Sequence, residues 1–279
     1  MALFNRVTIV GLGLIGGSLG MAIRRKHLAR EVIGLSRHSA TIAQAKKRGA
    51  IDWGTTNFRQ AVHEANVVVV ATPVEIIIPY AMRLACAMPS GSILTDVGST
   101  KQQIVTRLDR AVSGHIAFVG AHPLAGSEQS GLAAAQAQLF DGSTCILTRT
   151  RRTSPQALTR IRRLWNSLVR RVVIMDPQRH DRVLAAASHL PHLLAFSLVA
   201  ATSAQARRLA PRSFLEATRV AQSDPDLWDD ILLSNREALL AAISQFDRTW
   251  QQARHLVRSA DQQALKRFLS HAHSIRQSL

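Results

Sequence analysis

Short apolar runs alternate with longer mixed stretches through the first two-thirds of the chain, and then the runs stop. Arg6-Val7-Thr8-Ile9-Val10, Glu31-Val32-Ile33-Gly34-Leu35, Val67-Val68-Val69-Val70-Ala71, Ser92-Ile93-Leu94-Thr95 and Ala117-Phe118-Val119-Gly120 are rich in β-branched side chains. Runs of this length without polar alternation predict strands buried on both faces, as in a parallel sheet flanked by helices. Cys145-Ile146-Leu147-Thr148 and Arg171-Val172-Val173-Ile174-Met175 predict two further strands. They flank a helix expected from about Ser154, an N-cap residue before Pro155, to Val169. Beyond Asp176-Pro177 the pattern is helical, over 181–208, 213–222, 225–255 and 261–277, with Pro191 expected to break or kink the first. The expected fold class is α/β: an N-terminal Rossmann-type, doubly wound, mostly parallel sheet over 1–176, then an all-helical domain over 177–279. The apolar faces of those helices predict dimerisation.

The first strand runs into Gly11-Leu12-Gly13-Leu14-Ile15-Gly16-Gly17-Ser18 and then an apolar-periodic stretch to Ile23. This is G-x-G-x-x-G with a strand before it and a helix after it. Gly11 permits the tight turn, Gly13 lets backbone approach a pyrophosphate, and Gly16 lets helix pack on strand. Leu14 and Ile15 open the helix whose N–H groups and dipole favour the phosphates. Thr72-Pro73, at the end of a central strand, is assigned to the same cofactor site. The stretch between Arg6 and Arg24 carries no charge, yet it is too short and too glycine-rich for a spanning helix, so no membrane attachment is expected. The second strand ends in Ser36-Arg37-His38-Ser39, where an NAD-preferring site places an Asp or Glu on the ribose hydroxyl. Ser36 and Arg37 suit a 2′-phosphate instead. NADP is therefore the expected cofactor, ahead of NAD.

Charge changes the picture little. The formal net charge is +17, but residues 1–176 hold 22 Lys and Arg against 9 Asp and Glu, and the helical part holds 13 against 9. The densest run, Arg149 to Arg171, has eight arginines and no acid. Tyr80 is the only tyrosine, so the interleaved aromatics that stack on bases are missing, and nucleic acid is not an expected partner. A positive field instead suits a phosphorylated cofactor and an anionic substrate. Two cysteines, Cys86 and Cys145, match no disulfide or metal spacing, so no metal site and a cytoplasmic location are expected.

Chemistry concentrates in Ala121-His122-Pro123-Leu124-Ala125-Gly126-Ser127-Glu128 and, about seventy residues on, Ser188-His189-Leu190-Pro191-His192. Ser99 and His122 each fall just past a predicted strand end, where open parallel sheets bind ligands. With the glycine loop, Asp96-Val97-Gly98-Ser99-Thr100-Lys101, His122 to Gly131, Ser188 to His192, Phe214-Leu215-Glu216-Ala217-Thr218-Arg219 and Ser223 to Trp228, the chain resembles the prephenate and arogenate dehydrogenase family of tyrosine biosynthesis. The resemblance spans nearly the whole chain in the family's order.

It implies NAD(P)-dependent oxidative decarboxylation of a small anionic cyclohexadienol, with prephenate the expected substrate, arogenate the second and a 3-hydroxyacid a distant third. It implies His122 as the base and Ser99 as its partner in holding the substrate hydroxyl. Arg219 is the implied carboxylate-binding residue, with His192 as a second contact and His189 as support. Glu128 and Glu216 are the implied acids of an ionic network around that arginine, and a homodimer is the implied assembly. Where the family often has a glycine-rich run, this chain has Leu209-Ala210-Pro211-Arg212-Ser213, which alters the expected pocket edge.

Overall fold

The computed structural model describes residues 2–112, 114–127 and 129–278. β1 (Phe4–Val10) leads through the glycine turn into α1 (Leu14–Arg25), followed by β2 (Ala29–Leu35), α2 (Ser39–Lys47), β3 (Trp53–Thr55) and α3 (Phe58–Val62). Then come β4 (Val67–Val70), α4 (Val74–Ala85), β5 (Ile93–Asp96), α5 (Gln102–Ala111) and β6 (Ala117–Val119). These six strands form one parallel sheet in the order β3-β2-β1-β4-β5-β6. The chain builds outward from β1 to one edge and restarts at β4 toward the other, which opens a crevice between the carboxyl ends of β1 and β4. Val67 and Val69 pack into a cluster with Leu19, Ile23 and Trp165, whereas Val68 and Val70 join Ile77, Leu94 and Phe118. β4 therefore has no solvent face, which is why its sequence shows no alternation.

At Gly120 the chain changes sheets. β7 (Ala121–Pro123) pairs antiparallel with β8 (Thr144–Thr148), which pairs parallel with β9 (Arg171–Met175); α6 (Pro155–Asn166) connects the last two. A Cβ on Gly120 would stand 2.4 Å from Thr148 Oγ1, so only glycine allows this crossing. His122 consequently lies three residues past the end of β6, and there it belongs to a strand of a second, three-stranded sheet. The pattern of apolar runs does not reveal this, because 117–123 reads as one strand and its exit.

Past Asp176, whose carboxylate accepts the Arg179 N–H at 2.8 Å, the described residues are helical and irregular, with no strand. The helices are α7 (Pro177–Leu184), α8 (Leu190–Ala201), α9 (Ala204–Arg208), α10 (Arg212–Ala217), α11 (Pro225–Ser234), α12 (Arg236–Arg258) and α13 (Gln262–Gln277), with a 3₁₀ turn at Arg219–Gln222. α7 and α8 are joined without a gap by a π-helical segment, Ala185–His189. Pro191 stands two residues past this π segment inside the continuous helix, so the expected break is a widened turn instead. The helix expected over 225–255 is two helices, divided at the buried Asn235.

Candidate active site

A cleft of about 410 Å³ opens at the β1–β4 crevice, lined among others by Gly11, Gly13, Ser36, Arg37, Thr72, Pro73, Phe58 and Tyr80. Gly11 has φ +92°, and a Cβ there would meet Ala71 O at 2.5 Å. A Cβ on Gly16 would come within 1.9 Å of Gly11 O, so α1 sits directly on the turn. Gly13, in contrast, has nothing within 4 Å of its Cβ position and faces open space. It is the N-cap of α1 and offers no capping side chain, and no acid stands in the first turn. Gly17 N–H to Gly13 O, at 2.9 Å, opens the helical ladder, so the amides of Leu14, Ile15 and Gly16 have no helical acceptor. That set of donors under an open shelf fits a dinucleotide pyrophosphate, and the aromatic Phe58 and Tyr80, 5.4 Å apart, supply apolar wall farther out.

At the carboxyl edge of the sheet, β5 ends in the fully buried Asp96, which forms a buried ion pair with Lys101. Asp96 also accepts the N–H of Gly98 at 2.9 Å and of Ala121 at 3.3 Å, which ties the start of β7 to the end of β5. His122, the next residue, is buried, and its Nδ1 lies 2.8 Å from Nε2 of His180. His180 Nδ1 in turn lies 2.7 Å from Asp181 Oδ1. Asp181 crosses from α7 to α5, accepting the N–H of Lys101 at 2.7 Å and of Gln102 at 2.9 Å. Burial holds His122 well below the ordinary histidine pKa of 6.5, and the nearby His180 and Lys101 push the same way. His122 is therefore a neutral imidazole at neutral pH. Ser99, half-buried, stands on the turn after β5 between Gly98 and Thr100.

The second pair of histidines divides. His192 stacks on Trp228, with ring centroids 3.5 Å apart and planes 19° from parallel, and its Nδ1–H donates to Ser188 O at 2.9 Å. Its Nε2 is left as the acceptor of a half-buried ring whose pKa burial lowers. His189 is 1% exposed, and its Nδ1 accepts from Asn235 Nδ2 at 3.0 Å, while Asn235 also donates to Asp181 O at 2.8 Å. The expectation of His189 among the substrate-binding residues is corrected to this extent: its ring is enclosed by protein and serves packing. Arg219 opens the 3₁₀ turn and is exposed. Glu216 forms its ion pair with Arg212, at 2.9 Å across one helical turn, so the expected pairing of Glu216 within an ionic network around Arg219 is replaced by a local one. Glu128 lies outside the described residues.

Burial pushes His189 down to about 4, and burial also lowers His122, His180 and His192. The unfolded chain binds these protons at its ordinary pKa near 6.5, before the native state does. Stability is thus fully present above pH 6.5 and falls as pH descends toward the native values. Calorimetry is expected to give a lower Tm at pH 5 than at pH 7.5, with proton uptake on unfolding; an unchanged Tm would contradict the buried neutral rings.

The comparisons with known proteins fit this geometry. Residues 19–174 match the family model described as "Prephenate dehydrogenase, nucleotide-binding domain", and residues 176–271 match "Prephenate dehydrogenase, dimerization domain". The chain belongs to the prephenate dehydrogenase family. The prephenate dehydrogenase of Bacillus subtilis is 36% identical over 282 residues, covering 99% of this chain and 76% of the relative. The cyclohexadienyl dehydrogenase of Zymomonas mobilis is 34% identical, covering 94% and 91%. Among solved structures, prephenate dehydrogenase from Aquifex aeolicus in complex with hydroxyphenyl propionate and NAD⁺ superposes with TM-score 0.91 at 30% identity, over 98% of each chain. Synechocystis arogenate dehydrogenase gives TM-score 0.85 at 28% identity, over 98% of this chain and 99% of its own.

In this family member the structure also brings His180, Asp181, Asn235 and Asp96 to the site, none of which the sequence pattern marked for a role. The signal it did carry was His180-Asp181 itself, two polar residues opening a helix that turns apolar and reaches His192 twelve residues later.

Proposed function

We propose that this family member is a prephenate dehydrogenase, which oxidatively decarboxylates prephenate to 4-hydroxyphenylpyruvate and CO₂ and uses NADP in preference to NAD. The observation that carries the reading is His122, a buried neutral imidazole at the sheet's carboxyl edge, next to the residue that Asp96 ties to the end of β5, with one ring nitrogen engaged by His180. The chemistry a bound dinucleotide supplies is acceptance of a hydride. His122 Nε2 takes the proton of the substrate hydroxyl as the C–H bond at that carbon gives up its hydride and the C–O bond becomes a carbonyl. The bond to the ring carboxylate then breaks, CO₂ leaves, and its electron pair flows through the ring to the oxygen, which recovers the proton from His122. Aromatisation drives this second loss, so the base is needed chiefly for the first. Ser99 orients the hydroxyl, Arg219 takes a substrate carboxylate, and His192, set by Ser188 and Trp228, contacts the substrate through Nε2.

Support for NADP comes from Ser36 and Arg37, which line the cleft where a carboxylate would repel a 2′-phosphate. Ser36→Asp is expected to shift the kcat/KM ratio of NADP to NAD toward NAD by roughly 10-fold or more, since a like-charge contact costs on the order of 1.4 kcal/mol or above. A ratio that stays put would remove Ser36 from the cofactor site. Arogenate is the second substrate, a reading supported by the likeness to the Synechocystis arogenate dehydrogenase.

The functional unit is a homodimer. Leu240, Trp250, Val257, Leu269 and Ile275 of α12 and α13 are half or more exposed, a face that a second copy would cover. The helix through Pro177–Ala201 is long and apolar enough to cross a membrane by length and composition alone. Its buried His180, Asp181 and His189 are hydrogen-bonded to other elements, which argues for a helix packed against the rest of the protein. Among the described residues no cluster of three His, Cys, Asp or Glu side chains could hold a metal, so no step is assigned to one.

A further inference from the structure

We propose that His180 and Asp181 form a positioning relay that holds His122 as its Nδ1–H tautomer, leaves Nε2 as the base, and shares the charge that arrives there. The proposal rests on the reading of His122 as base and adds the two residues that make it one.

The proton arrangement follows from a single acceptor. Asp181 receives the Lys101 and Gln102 N–H groups at the start of α5, where unpaired amides and the helix dipole favour an anion. An ionised carboxylate can only accept, so the 2.7 Å contact requires the proton on His180 Nδ1. His180 is fully buried, and that burial disfavours a second proton against the pull of Asp181. Its Nε2 is therefore a lone pair. Facing that lone pair at 2.8 Å, His122 Nδ1 must be the donor. His122 is neutral as well, so its Nε2 carries the second lone pair. One carboxylate and two neutral rings admit no other consistent arrangement.

The same chain handles charge. When the substrate proton reaches His122 Nε2, the Nδ1 proton can pass to His180 Nε2, which moves the positive charge toward Asp181. Returning it regenerates the starting tautomers as the product oxygen is protonated, so no proton is gained or lost. Neither His180 nor Asp181 needs to touch the substrate. The device also explains a placement: Asp181 sits on α7, beyond β9, yet closes the N-terminus of α5 at the sheet edge.

The test begins without substrate. Long-range ¹H–¹⁵N correlation spectra of the full-length protein labelled at histidine report which ring nitrogen bears the proton, with the His122 signals assigned by their loss in His122→Asn. The expected result is protonation at Nδ1; protonation at Nε2 would overturn the relay. His180→Gln leaves Asp181 and its helix cap in place. Its kcat with prephenate is expected to fall about 10²-fold or more, with KM within about threefold and a displaced acid limb in the pH profile. A folded His180→Gln enzyme with native kcat, or one whose kcat falls without any change in the pH profile or in the His122 tautomer, would reduce His180 to a packing residue. If the native tautomer is as expected but prephenate is not turned over, the relay stands and the assigned substrate falls. If prephenate is turned over while His122 is protonated at Nε2, the relay falls and the assigned substrate stands.

Discussion

His122→Asn is expected to lower kcat for prephenate oxidation by about 10²–10⁴, the range that general-base catalysis supplies, with KM staying within about threefold. Asparagine is close to imidazole in reach and keeps a donor toward His180, so β7 and its pairing with β8 should survive. What it lacks is a nitrogen lone pair that can become N–H⁺. The loss therefore belongs to the transition state and appears in kcat and kcat/KM alike. In the native enzyme the acid limb of kcat/KM is expected below the ordinary histidine value of 6.5, because burial holds His122 well below it. That limb disappears in His122→Asn. A variant that keeps native turnover would make His122 a structural residue of the β7 strand and remove the base from the mechanism.

Arg219→Gln is expected to raise KM for prephenate by about 10- to 150-fold, with a smaller effect on kcat. A hydrogen bond to a charged group is worth about 1.5–3 kcal/mol, which is that range expressed as a ratio. Arg219 is exposed, on the turn between Thr218 and Gln222, so its removal leaves no cavity. Arg219→Lys is expected to recover only part of the affinity, since an ammonium cannot reproduce the planar fork. Steady-state kinetics over a range of prephenate concentrations decides the matter; an unchanged KM in Arg219→Gln takes the residue out of the pocket.

The parts of the molecule that depend on neighbours in sequence were legible in sequence. The glycine turn is set by the φ of Gly11 and by the approach of Gly16 to Gly11 O, five residues apart, and strand, loop and helix follow directly. β4 announces its burial because four consecutive valines face two cores. The helix expected from 181 begins four residues earlier, at Pro177, behind the Asp176 cap. The site was legible only in its outline. His122, Ser99, His192 and Arg219 stand in recognisable local patterns, but what surrounds His122 comes from distant segments. His180 meets it from 58 residues away, and Asp181 bonds Lys101 across 80. No periodicity encodes such pairings. The change of sheet at Gly120 escaped for the same reason, since it is decided by the approach of Thr148. Pro191 misled in the opposite direction: proline predicts a break from its own chemistry, while the π segment before it lets α7 and α8 run on.

If the protein oxidatively decarboxylates prephenate and Ser36 and Arg37 select the phosphorylated cofactor, both show in one assay of this prephenate dehydrogenase family member. Purified protein is given prephenate with NADP and NAD in turn, reduced nicotinamide is followed by its absorbance, and CO₂ and 4-hydroxyphenylpyruvate are quantified. The expected outcome is equimolar reduced cofactor, CO₂ and 4-hydroxyphenylpyruvate, formed with higher kcat/KM for NADP. Folded protein that binds the cofactor yet yields no product from prephenate would contradict it.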